Sequence, residues 1–177
     1  MNNADIIVLV IGTSLLLVAT WWISLRGRRY HGVARFFSFE SIFVLCFLNW
    51  RFWFVEPFSW NQMVSWVLLC GSTVPAAYGF YVLRSVGKPE GQFENTTTLV
   101  RVGPYRFIRH PLYASLILLG TGVCFKNLSM LTLGLALVDV IAMAATARIE
   151  EKEMMEKFGQ EYDGYMKDTK MFIPYVF

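Results

Sequence analysis

Long apolar runs repeated along the chain constrain this sequence more than any other feature. Three of them have near-spanning length: residues 6–25, 36–55 and 63–84. A helix needs about 20 residues to cross the hydrocarbon core of a bilayer. A further apolar stretch, 112–147, is interrupted by Lys126-Asn127, and Ser129 after it can cap a new helix. The pattern therefore predicts five transmembrane helices, of which the last two form a tight hairpin.

The composition agrees with a lipid environment. The 177 residues are 55% hydrophobic and 16% charged, whereas soluble domains are about one quarter charged. Many of the Trp, Tyr and Phe residues flank the apolar runs, where aromatic rings favour the headgroup level. We expect an all-α integral membrane protein with one domain, 1–177. Residues 1–83 would form three spans, and residues 84–177 would contain the hairpin 112–147 and a tail, 148–177.

The basic residues predict how the protein is oriented in the membrane. Fourteen of the sixteen Lys and Arg residues lie in three segments, 26–35, 84–111 and 148–170. In a chain with five spans these segments share one side, and cytoplasmic loops carry an excess of positive charge. The multi-pass chain is therefore predicted to have its amino terminus outside and its carboxyl terminus in the cytoplasm.

The tail is charged but periodic. Apolar residues recur at helical spacings at Ile149, Met154, Met155, Phe158, Tyr162, Tyr165 and Met166. This spacing predicts a cytoplasmic amphipathic helix that lies on the rest of the protein. Gly159 should interrupt or bend this helix, because glycine costs about 1 kcal/mol in a helix interior.

Two classes of site are disfavoured by the sequence. The formal charge of +3 is small and dispersed, and no basic cluster is interleaved with aromatic residues, so we expect no nucleic-acid partner. Cys46, Cys70 and Cys124 lie singly in apolar stretches without C-x-x-C spacing. We therefore expect neither a disulfide framework nor a metal site.

Polar residues are concentrated where the fourth and fifth spans meet the cytoplasmic surface. Pro111 suits the first turn of a helix, which places Arg109 and His110 at the amino end of the fourth span, where free N–H groups favour anions. Glu150 and Glu151 follow the fifth span, and the hairpin brings them to the depth of His110. The carboxylates would hold an amine or sulfonium and the helix end a carboxylate. This combination suits a zwitterionic, positively charged cofactor such as S-adenosylmethionine (SAM).

The motifs in this half of the chain resemble a known family. They are Val102-Gly103-Pro104-Tyr105, Arg109-His110-Pro111-Leu112-Tyr113, Glu150-Glu151 with Met154, Phe158-Gly159-Gln160-Glu161-Tyr162 with Tyr165, and Ile173-Pro174. Together, over residues from about 84 to 177, they resemble the isoprenylcysteine carboxyl methyltransferase family and its prokaryotic and phospholipid-methylating relatives.

The resemblance implies a SAM-dependent methyltransferase whose pocket is enclosed by the fourth span, the fifth span and the tail. The residues that it places in the pocket are Thr97, Thr98, Leu99, Val100, Tyr105, Arg109, His110, Pro111, Leu112, Tyr113 and Glu150. Glu150 would bind the ribose hydroxyls or the amine. Tyr105 and Tyr113 would offer aromatic faces to the adenine or the sulfonium. The methyl group would pass to a lipidic or small acceptor at the membrane interface.

The predicted catalytic residues are Glu150, Glu151, His110 and Arg148. His110 and Glu151 are the first candidates for a base, since a thiol or amine acceptor must lose a proton. The carboxyl methyltransferases of the family carry an arginine one helical turn before the position of Glu150, and here that position is Thr146. Arg148 is the nearest arginine, but it points about 200° away around a regular helix.

Several alternatives stay open at this point. The acceptor can be a prenylcysteine carboxylate, a phospholipid amine or a small thiol, and Thr146 counts against the first. An NADPH-dependent membrane reductase of the sterol-reductase type shares a similar carboxyl-terminal arrangement and an HP-x-Y-like element. A non-enzymatic membrane scaffold would leave the grouped polar motifs unexplained.

Overall fold

The computed structural model describes residues 2–23, 31–88 and 96–175. Within these residues the chain forms six helices, which are α1 (Asn3–Ile23), α2 (His31–Asn49), α3 (Trp60–Val86), α4 (Pro111–Cys124), α5 (Met130–Phe158) and α6 (Gln160–Asp168). Short 3₁₀ turns lie at Trp50–Phe52 and Gly103–Arg106.

The apolar runs form helices as predicted. α1, α2 with the turn that follows it, α3 and α5 are long and apolar enough to cross a membrane, and α4 is a shorter apolar helix. The all-α membrane architecture and the hairpin of α4 and α5 are therefore confirmed. The orientation of the bundle stays a prediction, and Arg26, Arg28 and Arg29, which contributed to it, lie outside the described residues.

The bundle is arranged around α4, which contacts α2, α3 and α5. α2 also packs on α5, and α1 packs on α2. The hydroxyl of Thr13 on α1 donates a 2.6 Å hydrogen bond to Oε1 of Glu40 on α2, so this intramembrane carboxylate has a partner. Next to it, a Cβ added at Gly12 would lie 2.1 Å from the ring of Phe43, so the ring would have to shift. Small and polar residues therefore join α1 to the bundle.

The short helix α4 ends inside the protein because neighbouring side chains donate hydrogen bonds to its terminal carbonyl groups. A helix of 14 residues is only about 21 Å long. Its last carbonyls have no partner within the helix, which is costly away from water. Four donors from α2 and α3 bond to carbonyls at this end: Asn49 to Val123 (2.8 Å), Ser65 to Gly122 (2.7 Å), Asn61 to Phe125 (3.3 Å) and Gln62 to Lys126 (3.2 Å).

The turn between α4 and α5 is fixed by a buried lysine. Lys126 is 2% exposed, and its Nζ lies 3.6 Å from the ring centroid of Trp66 and 3.0 Å from Oε1 of Gln62. A desolvated cation over an indole face gains about 2 kcal/mol. Burial also lowers the pKa of Lys126 from its ordinary value. The lysine that interrupts the apolar stretch therefore ties the hairpin turn to α3.

α5 begins where predicted but is longer than its apolar run. Ser129 accepts a hydrogen bond from the Thr132 amide, and the Thr132 side chain accepts one from the Ser129 amide, which forms a capping box. The helix continues to Phe158, because residues 148–158 contain no helix breaker. The first half of the predicted tail helix is thus an extension of α5. Gly159, with φ of +55°, ends α5 and allows α6 to start in a new direction.

Replacing Ser65 should show that the caps on α4 contribute to stability. In Ser65→Ala the buried carbonyl of Gly122 loses its donor, which we expect to cost about 1–3 kcal/mol. Ser85→Ala is the matched control, because Ser85 is exposed on the same helix and bonds to its own helix. The free energy of unfolding of the two variants in detergent measures the difference. If Ser65→Ala were as stable as Ser85→Ala, the Ser65 cap would not contribute to stability.

Candidate active site

The segment before α4 folds into a turn that requires glycine. Gly103 has φ of +62°, and an added Cβ would lie 3.1 Å from the Tyr78 hydroxyl. The 3₁₀ turn that contains Gly103 and Pro104 places the side chain of Tyr105 in the protein interior. The Tyr105 carbonyl accepts a 2.7 Å hydrogen bond from the hydroxyl of Tyr165 on α6. The Gly-Pro-Tyr motif therefore links this loop to α6.

The chain after α6 pairs with the same loop. Residues Ile108 and Lys170 form a parallel β-bridge, and the Arg109 amide donates to the Lys170 carbonyl at 2.8 Å. The His110 amide donates to the Met171 carbonyl at 3.2 Å. Buried Met171 and Phe172 pack in the cluster that contains Ile108. The carboxyl-terminal segment is thus held against the start of α4.

Arg109 joins three parts of the chain. Its Nε donates a 2.6 Å hydrogen bond to Oε1 of Glu151 on α5, and both side chains are 9% exposed. Its Nη1 donates to the carbonyls of Thr169 (2.5 Å) and Met166 (3.3 Å) at the end of α6. Nε and Nη1 of Arg109 therefore form their hydrogen bonds within the protein. Arg109 still lines the cavity, but its main contacts are structural.

Glu150 has different surroundings from Glu151, although the two are adjacent. Its Oε2 accepts a 2.6 Å hydrogen bond from the Tyr113 hydroxyl and lies 3.8 Å from Nδ1 of His110. Consecutive residues on a helix point about 100° apart. Glu150 therefore faces the cavity, while Glu151 faces Arg109. His110 lies between the two carboxylates, with Nε2 at 3.3 Å from Oε1 of Glu151, and its ring stacks on Tyr113 at 5.4 Å.

These side chains surround a cavity of about 150 Å³. Its lining residues are Arg35, Phe39, Leu83, Thr96, Leu99, Val100, Tyr105, Arg109, His110, Pro111, Leu112, Tyr113, Leu116, Glu150, Met154, Tyr162 and Tyr165. α2 through α6 and the 96–110 loop each contribute to it. Glu150 is the one carboxylate among the lining residues that the structure describes.

Three phenols of the loop and α6 face this space. Burial raises the pKa of Tyr105, Tyr162 and Tyr165 above the ordinary value of tyrosine. The negative charge of Glu150 raises the pKa of Tyr105 further, and Glu151 with Glu150 does so for Tyr162. These hydroxyls therefore stay protonated at neutral pH and can donate hydrogen bonds, as Tyr165 does to the Tyr105 carbonyl.

Most of the residues predicted for the pocket line the cavity. They are Leu99, Val100, Tyr105, Arg109, His110, Pro111, Leu112, Tyr113 and Glu150. Pro111 is in the first turn of α4 and His110 is the residue just before it at the amino end of the helix, as the sequence predicted. The structure thus brings together the two motifs that are 40 residues apart in sequence, and the function of these residues stays a prediction.

Four predicted residues do not line the cavity. Thr97 and Thr98 are exposed, and their amides donate hydrogen bonds to the Gly87 carbonyl at the end of α3. Glu151 is directed to Arg109. Arg148 is exposed on α5, since it lies about 200° around the helix from Glu150. It cannot replace a clamp at position 146, where Thr146 is buried and bonds to the Ala142 carbonyl of its own helix.

Sequence reasoning missed eight lining residues, some on α2, α3 and α6 and others on α4, α5 and the loop before α4. They are Arg35, Phe39, Leu83, Thr96, Leu116, Met154, Tyr162 and Tyr165. Tyr162 and Tyr165 belonged to a recognised motif but were assigned only to the face of a helix. Arg35 was interpreted as a topology signal. Its spacing of four residues from Phe39, which puts both on one helix face, was the signal available for it.

Comparisons with known proteins identify the family of this chain. The family model described as phospholipid methyltransferase matches residues 60–161. Methanethiol S-methyltransferase 1 from Bradyrhizobium diazoefficiens is 27% identical over an alignment that covers 88% of this chain and 59% of the relative. Methanethiol S-methyltransferase from Pseudomonas deceptionensis is 32% identical over 73 residues, which cover 40% of this chain and 26% of the relative.

The chain therefore spans 59% and 26% of the length of these two curated relatives. The matched family segment includes α3, the whole of α4 and α5, and the Gly103-Pro104-Tyr105 and Arg109-His110-Pro111 motifs. The predicted resemblance to the isoprenylcysteine carboxyl methyltransferase family and its phospholipid-methylating relatives is confirmed. Because the family model covers more than half of the chain, the protein belongs to the phospholipid methyltransferase family.

Proposed function

We propose that this protein is a SAM-dependent membrane methyltransferase that acts on a small thiol. The observation that carries the proposal is the carboxylate of Glu150, which faces an aromatic cavity and is held there by Tyr113. Oε2 of Glu150 accepts the hydrogen bond of Tyr113 and lies 3.8 Å from Nδ1 of His110, so the carboxylate is held at the cavity wall. A carboxylate in this position attracts a cation.

The lining residues fit the parts of SAM. Glu150 would bind its amine or sulfonium by charge. The first turn of α4, with the amides of Leu112 and Tyr113, would bind its carboxylate, because the first amides of a helix have no acceptor within it. Buried Tyr105 and Tyr162 offer ring faces for the adenine or the sulfonium.

The names of the relatives support the thiol as acceptor. Both are named methanethiol S-methyltransferases, and methanethiol is a small apolar thiol. Phe39, Leu83 and Leu116 form an apolar part of the cavity wall that would suit such a molecule. When bound, SAM supplies an electrophilic methyl group.

The residues of this chain would contribute to catalysis mainly by positioning the two reactants. Correct alignment of the reacting atoms accounts for up to about 7–11 kcal/mol of a barrier. α6 and the segment after it cover the cavity and would keep water away, because they are fixed by Arg109 and by the bridge of Ile108 and Lys170. His110, which stacks on Tyr113 and lies 3.8 Å from Glu150, would help to orient both.

Glu150→Gln should weaken cosubstrate binding without unfolding the protein. Glutamine keeps the shape and can accept the Tyr113 hydrogen bond, but it has no charge. Because a hydrogen bond to a charged group contributes about 1.5–3 kcal/mol, the affinity for S-adenosylhomocysteine should fall about 10- to 100-fold. Calorimetric titration of the detergent-purified protein measures this affinity.

Glu156→Gln is the control for this titration, because Glu156 is exposed on the same helix. It should bind like the unmodified protein. Titration with NADPH tests the reductase alternative in the same sample. Unchanged affinity in Glu150→Gln, or tight NADPH binding with none for S-adenosylhomocysteine, would contradict the proposal.

Glu151→Gln should instead lower the stability of the protein. It leaves the buried guanidinium of Arg109 without its counter-charge, which costs about 3–5 kcal/mol. The control is Glu161→Gln, which removes an exposed pair with Arg101 at 3.7 Å and should cost about 0–1 kcal/mol. Denaturant unfolding in detergent compares them. A Glu151 variant as stable as the Glu161 variant would show that this ion pair does not hold the cavity together.

A further inference from the structure

The cavity has an apolar end inside the helix bundle. Among the described residues that line it, Leu116 is the last on α4 and Phe39 is the last on α2. Leu116 lies about 7.5 Å along α4 from Pro111, at the 1.5 Å rise of a helix. We call Leu116 and Phe39 the cavity floor, because no described residue further along either helix lines the cavity.

One turn beyond the cavity floor the helices leave no space between them. Gly120 follows Leu116 by four residues and therefore shares its face of α4. Ile42 follows Phe39 by three residues and shares its face of α2. Gly120 lies so close to Oδ2 of Asp139 on α5 that an added Cβ would overlap with it, and this Cβ would lie 3.4 Å from Cγ1 of Ile42. α2, α4 and α5 therefore meet directly at this level.

Hydrogen bonds fix this closed level. The Ser38 hydroxyl on α2 donates a 2.5 Å hydrogen bond to Oδ1 of Asp139, and both residues are 0% exposed. Carboxyl groups inside a membrane bundle usually have a polar partner of this kind. One turn before Glu150 on α5, Thr146 is also 0% exposed and bonds to the Ala142 carbonyl of its own helix. The cavity floor is thus backed by packed helices rather than by a channel.

We propose that Leu116 and Phe39 bind the alkyl group of the acceptor and restrict it to a short chain, with Leu116 as the residue that sets the limit. This inference rests on the proposed function. Glu150 and the first turn of α4 would hold SAM, which leaves the apolar end of the cavity for the thiol. A short alkyl group gains by leaving water for this end. A longer one meets the contact of Gly120 with Asp139.

The test changes the cavity floor from two helices in the full chain. The floor variants are Leu116→Ala on α4 and Phe39→Leu on α2. Ile117→Ala is the matched control, because Ile117 packs against the same buried cluster as Leu116 and loses the same number of carbon atoms. Ile117 is not among the described residues that line the cavity.

Two measurements are made on each detergent-purified variant. Calorimetry gives the affinity for S-adenosylhomocysteine. Methylation assays with SAM give kcat/KM for methanethiol, ethanethiol, 1-butanethiol and 1-hexanethiol. In the unmodified protein kcat/KM should fall as the chain becomes longer.

Leu116→Ala should raise the ratio of kcat/KM for 1-butanethiol to that for methanethiol about 10- to 200-fold, the range that one methylene group contributes in an apolar pocket. Phe39→Leu should change the ratio in the same direction, and Ile117→Ala should leave it unchanged. The affinity for S-adenosylhomocysteine should stay the same in all three variants, because Glu150 and the amides of the first turn of α4 are retained. That result also shows that each variant is folded.

Four results would overturn the assignment of the cavity floor. The first is an unchanged ratio in a folded floor variant, and either variant suffices if the other does not fold. The second is an equal rise in Ile117→Ala, which would indicate a general loosening of the bundle. The third is a loss of S-adenosylhomocysteine affinity in both floor variants, which would place these side chains in the cosubstrate site. The fourth is an unmodified protein that methylates 1-hexanethiol as well as methanethiol.

The same measurements separate this inference from the proposed function. Thiol methylation without a preference for short chains would remove the cavity floor as a limit, while the proposed function would stand. An unmodified protein that binds S-adenosylhomocysteine but methylates none of the thiols would remove the proposed acceptor, and the floor assignment with it.

Discussion

The ion pair of Arg109 and Glu151 is the interaction on which the candidate site depends. It connects the start of α4 to α5, and the same guanidinium bonds to the carbonyls at the end of α6. These elements form three sides of the cavity. A buried pair of this kind stabilises mainly because neither charge can be left alone in a medium of low polarity. The position of α6 over the cavity is therefore coupled to the packing of the hairpin.

Adjacent glutamates perform separate tasks because of helix geometry. The rotation of about 100° per residue directs Glu151 to Arg109 and Glu150 to the cavity. His110 contacts both carboxylates, so the structural pair and the ligand-facing carboxylate share one positioning residue. The site thus combines the ion pair of Arg109 and Glu151, which holds the surrounding elements together, with the carboxylate of Glu150, which can bind a ligand.

The features that sequence reasoning predicted correctly are local. The hairpin followed from Lys126 and Ser129 within an apolar stretch, and the helix start followed from Pro111. Each depends on interactions within a few residues, such as the capping box or a missing N–H group. The proximity of His110 and Glu150 was also predicted, because a hairpin brings its open ends together. Their separation of 3.8 Å agrees with that reasoning.

By itself, the sequence determined that the chain forms apolar helices with a hairpin near its end, and which polar motifs lie at the ends of that hairpin. Only the tertiary structure decided that α2 brings Arg35 and Phe39 to the cavity and that Glu151 is paired with Arg109. Hydrophobicity, capping and periodicity act over short distances and are visible in a linear sequence. The contact of α2 with the hairpin depends on how whole helices pack, and helices distant in sequence meet only once the bundle is formed.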